Sequence, residues 1–181
     1  MRKRLEAVKS ILCLIGIIWV VFLVSHLIPI SQYGIRPRTA SGLIGIITSP
    51  FLHSGFSHIT MNTLSLVTFG IVYAITEAKS TLTTIFMIIL LSGLGTWVIG
   101  REANHIGASG LVFGLYGYLI ALGWYSRKFV AAIVSIALVV VYGSLIFGVL
   151  PGQIGISWEG HLCGLIAGGF LARQRSLKGG R

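Results

Sequence analysis

There is no aspartate anywhere in this chain. It has four glutamates, Glu6, Glu77, Glu102 and Glu159, against 14 lysines and arginines. A Ser-His-Asp triad is therefore excluded by composition, and so is a catalytic pair of membrane-embedded aspartates. Charge of either sign is scarce. It accounts for 10% of the 181 residues, where a soluble domain carries about a quarter. Cysteine is rarer still. Cys13 and Cys163 each stand inside an apolar run and read as small packing residues rather than a disulfide. No C-x-x-C spacing occurs, which leaves no ground for a cysteine metal site. The net charge of +10 comes without a basic face interleaved with aromatic groups, so nucleic acid is not an implied partner.

What is present is apolar sequence, 55% of the chain, in long runs that predict an integral, multi-pass α-helical membrane protein. Six spans are expected, over Ile11–Ile30, His58–Thr76, Leu82–Ile99, Ser109–Tyr125, Phe129–Leu150 and Gly160–Ala172. The first is about 20 residues long, beyond a signal-peptide core of about 7–15, and no small-x-small cleavage site follows it. The last is short for about 30 Å of hydrocarbon. Such a short helix would leave a polar cavity above its first residues. Between the first two spans, Ser31–Ser57 reads as a semi-polar loop. Within it, Gly42–Ile47 is apolar but too short to cross and is expected to dip into the interface. Residues 1–10 form a basic leader, 11–173 one bundle and 174–181 a basic tail.

The basic residues test this topology. With a cytoplasmic N-terminus, the inside carries Arg2, Lys3, Arg4, Lys9, Lys79, Arg127, Lys128, Arg173, Arg175, Lys178 and Arg181. The outside carries Arg36, Arg38 and Arg101. Eleven against three fits an even number of spans with both termini cytoplasmic. Ser109 and His161 then open spans four and six on the outer side.

Ser109 lies in Ile106-Gly107-Ala108-Ser109-Gly110-Leu111, and a serine needs a base to become a nucleophile. His161 is the candidate, since it opens a span on the same side. A plain reading stands beside this one, with Ser109 an N-cap and His161 an interfacial residue. Gly110-xxx-Gly114 and Gly164-xxx-Gly168 are patterns that let helix backbones touch, on the two helices that must meet for chemistry. Gly117 and Gly169 are further glycines on these two spans. Acyl transfer also needs donors for a developing oxyanion. His58 and Asn62 share a helix face at i and i+4. Backbone N–H groups around Gly107 and Ser109 lie at the positive end of span four. Phe113, one turn below Ser109, could stack on His161 or simply pack.

The other histidines read more plainly. His53 and His58 match no zinc spacing. His105 reads as loop structure and His26 as interfacial. Glu159, two residues before His161, could influence its pKa or stand as a solvated loop charge, the plainer reading.

Taken in order, His58-xxx-Asn62, Gly107-Ala-Ser109-Gly110 and His161-xx-Gly164-xxx-Gly168 across six apolar segments resemble the rhomboid intramembrane serine proteases. The resemblance runs from about Ile11 to Ala172. It implies a six-helix membrane bundle in its minimal bacterial form, placed in the inner membrane. It also implies a Ser–His dyad at Ser109 and His161, and an oxyanion pocket from His58, Asn62 and the Ser109 backbone N–H. The implied substrates are single-span transmembrane proteins, and no metal or other cofactor is implied. Two positions depart from the family pattern. Ile44-Gly45 stand where many members carry Trp-Arg in the first loop, and Phe113 stands where many carry Tyr. A client-binding relative without activity and a small transporter are the alternative readings. Nothing in the sequence specifies an oligomeric state.

Overall fold

A computed structural model describes residues 1–78, 80–152 and 155–179. Lys79 and Arg181, both counted in the charge asymmetry, lie outside them. The helices are α1 (Arg2–Val24), α2 (Gly45–Thr48), α3 (Phe56–Thr76), α4 (Thr81–Ile99), α5 (Ser109–Tyr125), α6 (Phe129–Tyr142) and α7 (Trp158–Gly179). Tight 3-10 turns cover Ile30–Tyr33, Ser41–Leu43, Ser49–Phe51 and Gly143–Val149. The six long helices make the expected six-span membrane bundle, and α2 belongs to the first loop. Arg2–Val24, Phe56–Thr76, Thr81–Ile99 and Phe129–Val149 are each long and apolar enough to cross a membrane.

Burial follows helical spacing. α1 turns Ala7, Ile11, Ile15, Ile18 and Phe22 inward and leaves its other faces for lipid. α3 buries Ile59, Asn62, Leu66, Phe69 and Tyr73 in the same rhythm. α5 differs, because every residue from Leu111 to Leu119 is buried. It is the central helix, packed against α3, α4, α6 and α7. α6 is its opposite, with Ala131 and Leu138 its buried residues.

The predicted spans shift in three places. α1 starts in the basic leader and stops at Val24, before Ile30. An Arg2–Glu6 ion pair one turn apart suits the leader to helix. The fifth span does not run as one α-helix to Leu150, because the chain tightens into a 3-10 segment from Gly143. The sixth is not a short Gly160–Ala172 helix. α7 has 22 residues, starting at Trp158 and running through the tail to Gly179. Arg173, Gln174 and Arg175 end the hydropathy without ending the helix, since all three are strong helix formers. Arg175 Nε also donates to a Glu77 carboxylate oxygen at 2.7 Å.

Glu159 is corrected as well. It is not a solvated loop charge but lies in the first turn of α7, 1% exposed. Its carboxylate accepts from the Arg101 backbone N–H at 3.1 Å and pairs with the Arg101 guanidinium at 3.2 Å. A buried charge tolerates no loss of its partner. Arg101→Ala should destabilise the protein by about 2 kcal/mol, and Glu159→Gln on top of it should recover part of that loss. Thermal unfolding in detergent reads both. Equal loss in the single and double variants would mean that the pair is not what holds this corner.

The first loop is stitched to the α4–α5 loop, not left loose. Ile35 and His105 form an antiparallel bridge. Arg38 Nη1 donates to the carbonyls of Val98 at 3.1 Å and Gly100 at 2.7 Å. Trp97 Nε1 donates to the Thr39 carbonyl at 2.9 Å, and Asn104 Nδ2 to that of Ser31 at 2.7 Å. An arginine and a tryptophan thus anchor this loop from positions other than Ile44-Gly45. Gly45 itself admits no side chain, because a Cβ there would run into the Gly34 carbonyl.

Candidate active site

The approach to α5 sets the site. Gly107 N–H donates to the Ser49 carbonyl at 2.9 Å, and Gly107 takes φ +120°, a backbone region that favours glycine. Ala108 is the N-cap and Ser109 the first helical residue. No side chain caps this helix, so the Ser109 hydroxyl is not spent on an N-cap. The first intrahelical bond runs from the Val112 N–H to the Ala108 carbonyl at 3.0 Å. The N–H groups ahead of it have no carbonyl one turn back.

His58 and Asn62 of α3 converge on Gly107. A Cβ added at Gly107 would lie 2.6 Å from His58 Nε2 and 3.7 Å from Asn62 Nδ2. Asn62 is 6% exposed and its Nδ2 has no hydrogen-bond partner among the described residues. The His58 ring is oriented by Ser54, whose hydroxyl meets Nδ1 at 3.1 Å. With Ser54 as donor there, His58 Nε2 carries the proton and is the donor facing Gly107.

α5 and α7 run side by side with their backbones in contact. A Cβ at Gly164 would run into the Gly110 carbonyl oxygen, and one at Gly168 into that of Gly114. Ser109 and His161 therefore stand at the same end of two touching helices. The His161 ring stacks on Phe113, with centroids 4.1 Å apart and planes inclined by 10°. Its Nδ1 lies 2.9 Å from the Gly148 carbonyl oxygen. A carbonyl only accepts, so Nδ1 carries the proton and Nε2 keeps its lone pair. Gly148 comes from the 3-10 segment after α6. A Cβ there would sit 2.9 Å from Phe113 Cζ and 3.3 Å from His161 Nδ1.

A cavity of about 30 Å³ lies beside Ser109, lined also by Ser92, Thr96, His105 and Ser157. That is room for about one or two waters.

Several residues of this neighbourhood carried no sequence signal. His53 is 4% exposed, edge-on to His58 with ring centroids 5.0 Å apart. Its Nε2 accepts from the Ala108 N–H at 3.4 Å. Burial, reinforced by the neighbouring His58, lowers its pKa to about 4, so this acceptor stays neutral near pH 7. Histidine in a loop has too many uses for spacing to reveal that one. Gly148 is one glycine of 24 in the chain. Its role comes from its carbonyl, which has no side-chain signature. His105 is buried loop structure, with Nδ1 2.6 Å from the Ser157 hydroxyl and Nε2 3.0 Å from the Arg101 carbonyl. Cys13 and Cys163 are both free thiols.

Known proteins are similar to this chain over most of its length. The Rhomboid domain family matches residues 40–176. An uncharacterized protein of Mycobacterium tuberculosis is 35% identical over 170 residues, covering 88% of this chain and 71% of its own. RHOMBOID-like protein 4 of Arabidopsis thaliana is 35% identical, covering 70% of this chain and 32% of its own. Rhomboid protease GluP of Bacillus subtilis is 30% identical, covering 73% of this chain and 26% of its own. With the family match spanning most of the chain and every site element inside it, this integral membrane protein belongs to the rhomboid family.

Proposed function

We propose that this chain is an intramembrane serine endopeptidase acting through a Ser109–His161 dyad on single-span membrane proteins. The observation that carries the reading is the way the His161 ring is held. Phe113 covers one face, and the Gly148 carbonyl accepts the Nδ1 proton. A carbonyl and an aromatic face thereby do the orienting work that an aspartate does in a triad.

Nε2 of His161 takes the Ser109 hydroxyl proton as the oxygen attacks the peptide carbonyl. The carbonyl oxygen becomes an oxyanion. His58 Nε2, Asn62 Nδ2 and the Ser109 backbone N–H donate to it. The unpartnered Asn62 amide suits this role, since a buried donor left open is costly unless something binds it. His161 then returns the proton to the leaving amine. A water attacks the acyl-enzyme, with His161 again the base. Charge bias supports an orientation with both termini cytoplasmic and the dyad near the outer face, and the membrane of this reading is a bacterial inner membrane.

The test is cleavage of a model single-span substrate by the purified protein in proteoliposomes. Cleavage that is blocked by a fluorophosphonate and unaffected by chelators is the expected result. Cleavage blocked by chelators alone would require another mechanism.

Gly107 gives a sharper check on the oxyanion pocket. Gly107→Ala puts a methyl group against His58 Nε2 and strains a φ of +120°. Turnover should fall about 100-fold, the scale of losing one oxyanion donor. Gly152→Ala strains a similar φ of +110° with no neighbour within 4 Å among the described residues, so it serves as the control. Equal losses from both would mean that the effect is backbone strain and not a blocked pocket.

A further inference from the structure

At the end of the bundle away from Ser109 and His161, the helices do not close. A cavity of about 900 Å³ lies between the start of α4, the end of α5 and the end of α7. It sits one length of α5 from the dyad, about 24 Å at 1.5 Å per residue. Arg127, Lys128, Arg175 and Lys178 line it, with Glu77 the acid among its described lining residues. Glu77 is already engaged by Arg175 at 2.7 Å. Arg127, Lys128 and Lys178 enter no ion pair among the described residues. Three cations therefore face one concavity without a counter-charge.

Two further features point to an anionic occupant. Ser176 lines the cavity, and its buried hydroxyl has no hydrogen-bond partner among the described residues. Ser80, also in the lining, precedes α4 without capping it, so the positive end of that 19-residue helix opens here. Met87, Leu122 and Leu171 give the wall an apolar part, alongside polar residues that include Thr83, Thr84, Ser126 and Gln174. Trp124 and Phe129, both highly exposed at the adjoining ends of α5 and α6, mark the headgroup level of a bilayer.

We infer that this cavity binds the phosphate of an anionic phospholipid, with the cations on the headgroup and an acyl chain along Met87 and Leu122. A basic pocket between membrane helices has the chemistry for this. A free phosphate-bearing solute shares the headgroup chemistry but makes no use of the apolar wall. The site is separate from the dyad and does not depend on the proteolytic reading.

Native mass spectrometry of the delipidated protein tests it, with phosphatidylglycerol and phosphatidylcholine added in turn. Wild type should prefer phosphatidylglycerol by about tenfold or more, the effect of a few basic contacts to an anionic lipid. Arg127→Gln/Lys178→Gln should remove that preference. Arg4→Gln/Lys9→Gln, which removes the same charge outside the cavity, should keep it. Lys128→Gln, an exposed change, should give a smaller loss in the same direction, so the idea remains testable if the double variant folds poorly. Equal loss in the two double variants would reduce the effect to general charge attraction and overturn the site. Retained preference in the cavity variants would overturn it too. Displacement of phosphatidylglycerol by inorganic phosphate at equal concentration would overturn the lipid assignment in favour of a soluble phosphate. Proteolysis is not a readout, so none of these outcomes touches the dyad.

Discussion

Ser109→Ala should abolish cleavage of a single-span substrate, by about 1,000-fold or more, while leaving the thermal stability of the protein nearly unchanged. The second half of that expectation distinguishes chemistry from structure. If Ser109 were an N-cap, alanine would cost about 1 kcal/mol of stability. No side-chain cap exists at this helix start, so that loss should not appear. His161→Ala should reduce turnover to the same degree but also lower stability, because it removes the stack on Phe113 and the bond to Gly148. Members of a unit that acts together are grossly non-additive, so the double variant should be about as slow as either single one. Cleavage by all variants at the wild-type rate would point to a contaminating protease and remove the dyad from consideration. A marked drop in stability for Ser109→Ala would restore the structural reading of that residue.

Gly164→Ala should lose about tenfold or more of activity and about 1–3 kcal/mol of stability, the range for overpacking a tight contact. The leucine variant should lose activity altogether. The neighbour that blocks the Gly164 position is the Gly110 carbonyl oxygen, part of the α5 backbone. A backbone cannot rotate aside as a flexible side chain can. Helices α5 and α7 must therefore move apart, and His161 moves with α7 relative to Ser109 on α5. Gly169→Ala is the internal control. A Cβ there meets only the Ala121 Cβ at 3.9 Å, ordinary contact. It should be active and stable. Similar behaviour of Gly164→Ala and Gly169→Ala would mean that close helix approach does not govern the site. In sequence Gly164 belongs to a GxxxG pair and Gly169 does not; the packing shows that this difference is a difference of helix face.

Much of this protein was legible without coordinates. Long apolar runs specify membrane helices because hydrocarbon leaves a backbone few alternatives to helix. That logic does not depend on neighbours, so the helices fell where hydropathy put them. Their ends moved because helix and hydropathy stop for different reasons. Arg175 can remain helical beside Glu77, and a hydropathy scan cannot register that partner. The fifth run contains Gly143 and Gly148, and only packing against Phe113 and His161 shows why the chain tightens there.

The candidate residues divide in the same way. Ser109, His161, His58 and Asn62 stood out because polar groups in apolar segments are costly and rare. The i, i+4 spacing of His58 and Asn62 and the two GxxxG patterns are local geometry, so one chain in isolation reveals them. The tautomer of His161, the neutral acceptor His53, the Arg101–Glu159 pair and the basic cavity behind α5 are different. Each depends on atoms from segments distant along the chain. Composition alone determined that this protein lives in a bilayer and has no aspartate to assist a histidine. Only tertiary structure decided what holds the His161 ring, because a backbone carbonyl such as Gly148 has no identity in sequence until folding aims it at a ring.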